Sequence, residues 1–542
     1  MPDFDPHPFD GKTGACSISL LATVVLMFPT SAQLDALTWS LGSSLLQFVP
    51  ELVLCVGIIT LLLLRLLPGG EHHTGAITAA AFVAVALMVA AYQVSEEAYA
   101  GSTFQGMLLV DPLAGIMRVV LLGGSLLVIL LTRWSYPSDE WDAADLQVLL
   151  LGSTLGLMLM VQAHHLLMLF IAVEMAGVPA YALAGFPKQR RRGSEAALKF
   201  AIFGAAASGL MLYGITLLCG VFGTGYLPNI LDGITRRGID LPVGAGAALL
   251  FLGLGFKLSV VPLHFWCPDV FEGATAEVAA YLATVSKAAT AAVLLRLLHS
   301  LQQLQPDASQ LPMLLGVPLG VIAAVTMTVG NLAAFGQSHL QRLLAYSTIA
   351  HAGYILLGIA VITPAAFQAV LFYVMAYVLM NLGAFATVAW VRQATTREDL
   401  EGVRGLIFRH PVVAVALTIF AASLLGLPPL VGFAAKFQLF LAVYEAGRTA
   451  SAVAPYLSTT WYVLLAIALI NTVCSAYYYL RLIRWMILDA LPSTTNTEVI
   501  RQQATLSAGA VYLLLLSAAV VLFGISWSPL IQLCRMAAQI FV

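Results

Sequence analysis

Long apolar runs recur along almost the whole chain, and they constrain its fold more than any other feature. About fourteen of them reach roughly 18 residues, the length that a helix needs to cross about 30 Å of hydrocarbon. They cover residues 45–67, 75–94, 104–132, 145–163, 166–186, 195–220, 242–266, 276–299, 312–335, 343–362, 365–391, 411–444, 459–486 and 506–534. Because the loops between them are short, the sequence predicts an all-α, polytopic membrane protein without a separate water-soluble domain.

The composition agrees with this class. Apolar residues make up 60% of the chain and charged residues 10%, and a water-soluble domain could not cover so much apolar surface. The formal net charge is −2, and the cationic side chains are scattered over short loops. These features argue against nucleic acid as a partner, and the lipid bilayer is the expected environment.

The six cysteines do not form a metal-binding pattern. They stand far apart, without a Cys-x-x-Cys pair and without histidines at ligand spacing. Such cysteines are typical of small apolar core side chains, so we expect no metal ion and no iron–sulfur cluster in this chain. They are Cys16, Cys55, Cys219, Cys267, Cys474 and Cys534.

Residues 1–44 precede the first run as an N-terminal extension. Within it, "ISLLATVVLMF" at residues 18–28 is shorter than a membrane span and resembles the apolar core of a signal peptide, with "TSAQ" as a cleavage site. A signal anchor has the same features, so both interpretations stay open.

The distribution of Lys and Arg predicts the orientation, because cytoplasmic loops of membrane proteins are enriched in both. The loop "PKQRRRGSE" after the fifth run holds Lys188 and three arginines at 190–192, and is predicted to be cytoplasmic. Alternation of the runs places Arg133 and Arg392 on the same side. It places both termini on the periplasmic side of a bacterial inner membrane.

Among the charged residues of the apolar runs, five stand out because they cannot be explained as loop residues: Glu174, Lys199, Lys257, Lys287 and Lys436. A charge at membrane depth costs at least about 2.5 kcal/mol, so such residues mark a pathway or a buried partner. Four of the five are lysines, and a lysine, unlike an arginine, can lose its proton where water is excluded. A neighbouring carboxylate keeps it charged, so moving that negative charge would switch the lysine between holding and releasing a proton.

These residues also have purely structural interpretations. Glu174 and Lys257 lie at similar depth in their runs and could form a buried ion pair that only holds helices together. Lys199 and Lys436 lie nearer to the membrane surfaces, where a lysine can extend its amine to the headgroups. Four other charged residues are left out of the candidate site as packing, interfacial or run-end groups: Glu51, Asp111, Arg118 and Arg296.

Prolines interrupt two of the runs. Pro262 lies in the run 242–266, and Pro428 and Pro429 lie in the run 411–444. Since proline removes a backbone donor, each run is predicted to be a broken helix whose free carbonyls need water or polar side chains. Lysines beside two such breaks are what a polar path through the bilayer requires, whereas a plain kink in a packed helix is the alternative.

The two breaks also suggest an internal duplication. Counting forward from each of the other buried charges by the number of residues that separates Lys257 from Lys436 gives positions close to further polar residues. An odd number of helices in each copy makes the second copy inverted, as in many transporters. The predicted units are three N-terminal helices (45–132), two inverted five-helix repeats (145–299 and 312–486, with broken helices 7 and 12) and a C-terminal helix (506–534).

Six stretches of the sequence resemble one known family. They are "LLMLFIAVEMAGVPAYALAGF", "SEAALKFAIFGAAASGLMLYG", "GLGFKLSVVPLHFWCPDVFEGA", "VSKAA", "NLAAFGQSHLQRLLAYSTIAHAGYILLG" and "LLGLPPLVGFAAKFQLF". Together they are similar to the antiporter-like subunits of the proton-pumping NADH:quinone oxidoreductase, respiratory complex I, and most similar to the subunit N branch.

The resemblance implies roles for individual residues. Glu174 would be the acid that pairs with Lys257. Lys287 would continue a horizontal polar axis that Lys436 ends. The remaining two would be Lys199, as an auxiliary lysine near the cytoplasmic entry, and His351, as a bridge between the halves.

The resemblance also implies the function and the partners. We expect a translocase subunit that moves protons through a buried Glu/Lys relay, coupled to quinone reduction in other subunits of complex I. This chain would hold no cofactor, because the flavin, the iron–sulfur clusters and the quinone would belong to partner subunits. Two alternatives remain: a subunit of a cation/proton antiporter of the same superfamily, and a non-pumping membrane scaffold.

Overall fold

The computed structural model describes residues 41–66, 75–96, 101–135, 143–186, 190–304, 312–451, 454–488 and 507–538. Within these ranges the protein is a bundle of α-helices with one short hairpin, so the all-α prediction is confirmed. The signal-like segment at 18–28, and residues 1–40 of the predicted N-terminal extension, lie outside the described residues.

The helices are numbered here in chain order. The first half of the chain holds α1 (Val49–Leu64), α2 (Gly75–Ser95), α3 (Pro112–Ser135), α4 (Ala143–Gln162), α5 (Leu166–Ala184), α6 (Arg191–Phe222), α7 (Leu227–Arg237), α8 (Leu241–Leu258), α9 (Trp266–Gly273), α10 (Ala276–Ala283) and α11 (Val285–Leu304). The second half holds α12 (Val317–Ala334), α13 (Leu340–Val361), α14 (Pro364–Thr395), α15 (Leu400–Val403), α16 (Leu406–Arg409), α17 (Pro411–Leu425), α18 (Val431–Ala450), α19 (Pro455–Ile487), α20 (Ala508–Ile525) and α21 (Ser528–Ala537). A π-helical turn, Pro312–Gly316, leads into α12.

The third predicted run begins too early. Residues 101–110 form an antiparallel hairpin of β1 (Gly101–Thr103) and β2 (Leu108–Val110). The three turn residues at 104–106 have positive φ, a conformation that a right-handed helix does not contain. Helix α3 therefore begins only at Pro112.

Twelve helices within the described residues are long and apolar enough to cross a membrane. The short helix Leu41–Gln47 and α1 make a thirteenth candidate, although they are bent by 73° at the break between them. The predicted run 411–444 is divided into α17 and α18, and α18 carries three charged residues. The difference from the fourteen or so predicted runs therefore lies in the bent and broken helices.

Burial separates central helices from peripheral ones. In the segment Ala276–Leu298, in α13 and in α14, 94% of the residues in the apolar stretch of the helix are buried inside the protein. The corresponding share is 28% in α2 and 33% in α19. The central helices carry Lys287 and His351. The protein itself therefore surrounds these two side chains and keeps them away from lipid.

Both breaks predicted from the prolines are present. Helix α8 ends at Leu258, and Ser259 follows in the left-handed conformation with φ of 64° before the chain becomes helical again in α9. Helix α17 ends at Leu425, and Gly426 follows with φ of 93° before α18 begins. The last carbonyls of α8 and α17 thus lie inside the bundle without a continuing helix.

A third break was not predicted, because no proline marks it. Thr284 separates α10 from α11 with φ of −110° and ψ of −71°. Its hydroxyl donates to the backbone carbonyl of Ala280 at 2.6 Å, a hydrogen bond that weakens and bends helices. The break lies one turn before Lys287.

Candidate functional site

Lys257 lies in the last turn of α8 and is 6% exposed. Its ammonium is 5.8 Å from the centre of the Tyr181 ring. It also lies against Gly177 of α5, where a Cβ atom would be only 2.9 Å from the lysine Nζ. Gly177 therefore makes room for this amine. Glu174, one helical turn earlier on α5, is close enough to interact electrostatically with Lys257.

Glu174 and Lys257 nevertheless make no direct ion pair. Ser208 of α6 donates a short hydrogen bond to the Glu174 carboxylate, and none of the ion pairs among the described residues joins this carboxylate to Lys257. A static pair that only held the helices together would need that contact. The geometry is that of two charges that influence each other while remaining separate.

Lys287 reaches the first helix break from another helix. It is 1% exposed near the start of α11. Its Nζ donates to the carbonyl of Leu258 and to Oγ of Ser259, both at 2.7 Å. The C-terminus of a helix carries a partial negative charge of about half an elementary charge. The ammonium of Lys287 is therefore stabilised by the end of α8, and no carboxylate is needed for this.

Lys436 occupies the second break in a similar way. It is 4% exposed, and its Nζ donates to the carbonyl of Leu425, the last residue of α17, at 3.0 Å. The amine lies 4.9 Å from the centre of the Tyr354 ring. The alternative in which Lys436 extends to the headgroups does not fit this buried, inward position.

His351 of α13 lies in a cluster of buried tyrosines. Its Nδ1 is 2.7 Å from the hydroxyl of Tyr373, and its Nε2 is 3.4 Å from the hydroxyl of Tyr479. The Tyr354 ring lies 6.0 Å from the His351 ring and also contacts Lys436. His351 is thus linked to the second break through aromatic side chains that bear hydroxyl groups.

The same cluster extends toward Lys287. The ring of Tyr377 is 5.2 Å from that of His351. Helix α11 packs against α13 and α14. We call this set of polar groups inside the bundle the lysine row; its members are Glu174, Lys257, Lys287, Tyr377, His351, Tyr373, Tyr354 and Lys436.

Sequence reasoning missed the tyrosines of the lysine row. A buried tyrosine needs a partner for its hydroxyl, and Tyr373, Tyr377 and Asn381 repeat at intervals of one helical turn on α14. The amide of Asn381 donates to the hydroxyl of Tyr377 at 2.8 Å. The i, i+4, i+8 spacing was the available signal for a polar stripe on an otherwise apolar helix.

Lys199 lies apart from the lysine row. Its side chain is 38% exposed and forms ion pairs with Glu195 at 2.8 Å and Asp269 at 2.7 Å. Asp269 in turn pairs with Arg342 at 2.9 Å. The structure places Lys199 in a surface network that joins α6, α9 and α13, in agreement with the alternative of a lysine near the headgroups.

A second charged contact joins the ends of helices on the same face. Glu398 accepts a hydrogen bond from Arg190 at 3.1 Å and lies 3.6 Å from Nε2 of His339. Burial would raise the pKa of Glu398, but the nearby ring of His339 and the hydrogen bond from the positively charged Arg190 outweigh it and lower the pKa to about 2. Because the folded-state pKa is depressed, the stabilising effect is present above pH 4.5 and is lost as the pH falls toward 2. Glu398 is therefore charged at neutral pH.

Two pairs that were left out of the candidate site are buried ion pairs. Arg118 is 1% exposed and makes two hydrogen bonds to the Glu51 carboxylate, at 2.8 and 3.0 Å. Arg296 makes two to the Asp111 carboxylate, at 2.5 and 2.8 Å. They are packing groups, as expected, but Arg118 is fully buried and not interfacial.

The described residues contain no group of three or more His, Cys, Asp or Glu side chains that could hold a metal ion. The five described cysteines are free thiols: Cys55, Cys219, Cys267, Cys474 and Cys534. Cys16 lies outside the described residues.

The sequence is similar to one family of membrane proteins. Residues 163–461 match the family described as NADH:quinone oxidoreductase/Mrp antiporter, TM. A curated relative from Anaeromyxobacter sp. (strain Fw109-5), described as NADH-quinone oxidoreductase subunit N, is 36% identical over 514 residues, which cover 92% of this chain and 97% of the relative.

Two solved structures are similar to the fold. A chain of respiratory complex I from Thermus thermophilus, determined with bound aureothin, has a TM-score of 0.69 at 30% identity, and the match covers 89% of this chain and 98% of that chain. A chain of the Mrp complex from Dietzia sp. DQ12-45-1b has a TM-score of 0.77 at 22% identity, and the match covers 91% and 97%. The second likeness concerns the fold alone.

The fold, its broken helices and these relatives together define a multi-pass, antiporter-like membrane subunit. The chain belongs to the NADH:quinone oxidoreductase/Mrp antiporter transmembrane family, and within it to the relatives described as subunit N of NADH-quinone oxidoreductase. The resemblance inferred from six sequence stretches is confirmed.

Proposed function

We propose that this chain carries protons across a bacterial inner membrane as a subunit of NADH:quinone oxidoreductase. The observation that carries the proposal is that a lysine amine donates to the last carbonyl of each broken helix, at Leu258 and at Leu425. The lysine row provides proton acceptors and donors between these two positions. A buried amine that keeps a hydrogen-bond acceptor in both protonation states can exchange protons with a neighbour.

The mechanism we infer is electrostatic. Two unit charges about 4 Å apart interact by about 4 kcal/mol at an effective dielectric constant near 20. The Glu174 carboxylate and the Lys257 ammonium are farther apart than a direct ion pair, so their interaction is smaller than this. The ammonium loses this stabilisation when the carboxylate moves away or is neutralised. Its proton then passes to Lys287 and, through His351 and the tyrosines, to Lys436.

The redox chemistry belongs to partner subunits in this proposal. The chain assembles with the other membrane and peripheral subunits of complex I, which supply the flavin, the iron–sulfur clusters and the quinone. Quinone reduction there shifts charge along the lysine row. The loop that holds Lys188 faces the cytoplasm, and both termini lie on the periplasmic side.

Replacing Lys257 by Met tests the relay. In the assembled complex, reconstituted in vesicles, we expect Lys257→Met to remove the share of NADH-driven proton pumping that this subunit carries, because a thioether of similar length cannot hold a proton. NADH oxidation with a quinone acceptor is measured in the same vesicles to normalise the pumping. Wild-type pumping in the assembled variant would contradict the proposal.

A cation/proton antiporter subunit is the second candidate, because the Mrp complex chain has the same fold. The two candidates differ in their partners. Purification from the native membrane with a tag on this chain, followed by mass spectrometry, would yield flavin- and iron–sulfur-containing subunits in the first case. Their absence, together with the presence of other antiporter subunits, would favour the second.

A further inference from the structure

A further buried carboxylate lies outside the lysine row, at the end of the bundle where α3 and α14 end. Glu277, in the first turn of α10, is 0% exposed. Its Oε1 accepts a hydrogen bond from Arg392 of α14 at 2.7 Å and a short one from Ser135 of α3. Its Oε2 is buried and has no hydrogen-bond partner among the described residues.

The unpartnered oxygen distinguishes Glu277 from the structural ion pairs. Arg118 and Arg296 each donate to both oxygens of their carboxylates, as expected for pairs that hold helices together. Arg392 engages only one oxygen of Glu277. A buried carboxylate oxygen without a donor is destabilising, and this oxygen is free to accept a proton.

Buried polar side chains lead from Glu277 toward Lys287. One helical turn further along α10, the hydroxyl of Tyr281 is 3.1 Å from that of Thr154 of α4. The next turn carries Thr284, at the break between α10 and α11, and the turn after that carries Lys287. All five side chains are at most 1% exposed. From Glu277 to Lys287 the helical path rises about 15 Å, so a polar group is present at each turn.

We propose that Glu277 is the proton acceptor at the entrance of a path that supplies Lys287 from the side of the membrane where α3 and α14 end. The inference rests on the proposed function. A proton from water on that side bonds to Oε2 and gives a neutral carboxylic acid. The acid passes the proton along the hydroxyls of Tyr281 and Thr284 to the neutral amine of Lys287, which becomes an ammonium, and Glu277 returns to the carboxylate. Arg392 stays charged and holds Oε1 throughout.

The variant Glu277→Gln in the assembled complex tests whether Glu277 accepts the proton at the entrance of this path. We expect the number of protons pumped per NADH to fall by the same amount as in Lys287→Met, and to fall no further in the double variant. Glu277→Asp should restore part of the pumping, because it restores a titratable oxygen. The matched control is Asp145→Asn, which removes a partly exposed carboxylate paired with Arg65 at 2.6 Å and should leave pumping unchanged.

Removing the charges of both Glu277 and Arg392 distinguishes the proposed proton acceptor from a purely structural role for Glu277. In Glu277→Gln/Arg392→Gln no buried arginine is left without a partner, so assembly and thermal stability should recover relative to Glu277→Gln. Pumping should stay low. Recovery of pumping in this double variant would assign Glu277 a structural role and overturn the inference.

Infrared difference spectra during turnover give a readout that stability does not affect. A C=O band of a protonated carboxylic acid should appear in the wild type and be missing in Glu277→Gln. If Lys287→Met abolishes pumping while Glu277→Gln pumps normally, the entrance is wrong and the proposed function stands. If both variants pump normally, the proposed function fails as well.

Discussion

At each of the two broken helices, a lysine amine donates to the last carbonyl of a helix, but the lysine belongs to a different kind of element in the two cases. At the first break, Lys287 arrives from α11 and binds the end of α8, while Lys257 lies in the final turn of α8 itself. At the second break, Lys436 belongs to α18, the continuation of the same broken helix, and binds the end of α17. The first break therefore has two lysines and the nearby acid Glu174, whereas Lys436 is without an ion pair among the described residues.

This difference assigns different tasks to the two breaks in the proposed relay. At the first break, the charge state of Glu174 can change the stability of the Lys257 ammonium, so this break can act as a switch. At the second break, the helix end and the ring of Tyr354 stabilise Lys436 without a carboxylate. We infer that the first break controls the transfer and that the second receives the proton.

The largest expected effect comes from Glu174→Gln, which removes the controlling charge at the first break only. The loss of this electrostatic control over the Lys257 ammonium should abolish this subunit's share of NADH-driven pumping, as Lys257→Met does. Proton uptake by reconstituted vesicles, normalised to NADH oxidation, measures the effect. If Glu174→Gln pumped like the wild type, control by the first break would be refuted.

A smaller effect should distinguish the residues that follow the two helix ends. Gly426 has φ of 93°, and a Cβ atom there would lie 3.0 Å from Cδ of Lys436. Gly426→Ser should therefore destabilise the fold by about 1–2 kcal/mol and lower the apparent Tm of the complex by a few degrees.

The reciprocal change, Ser259→Gly, is the matched control. It relaxes the backbone at φ of 64° but removes a hydroxyl that accepts from Lys287. We expect Ser259→Gly to leave the Tm of the complex unchanged and to lower NADH-driven pumping. Equal Tm values in the two variants would show that the two helix ends are equivalent.

The smallest effect is expected for Lys199→Gln. An exposed ion pair contributes at most about 1 kcal/mol, and Lys199 lies outside the lysine row. Stability and pumping should both stay close to those of the wild type in the same vesicle assay. A loss of pumping as large as in Lys257→Met would place Lys199 in the pathway.

The sequence carried the information for much of this arrangement. Charges within apolar runs indicated Lys257, Lys287 and Lys436, because each is expensive in a membrane. Prolines indicated the two breaks, because they remove backbone donors. Both signals depend only on residues close together in the sequence, so a single sequence is enough to recognise them.

Other features depend on which side chains meet in space, and the sequence does not determine that by any local rule. The hydrogen bond from Ser208 to Glu174 joins two helices and could not be foreseen. Glu277, near the start of the run 276–299, was not singled out in the sequence, although it is fully buried. Lys199 lies in an apolar run like the other lysines, but its exposure and its ion pairs with Glu195 and Asp269 depend on the fold.

Ordered solvent around the lysine row tests the central claim most directly. A cryo-EM map of the assembled complex at a resolution that shows water should reveal hydrogen-bonded waters or hydroxyls that link Lys257 to Lys287, and Lys287 through His351 to Lys436. Amines sealed in dry protein, or directed to the headgroups, with no chain of hydrogen bonds between them, would contradict the account.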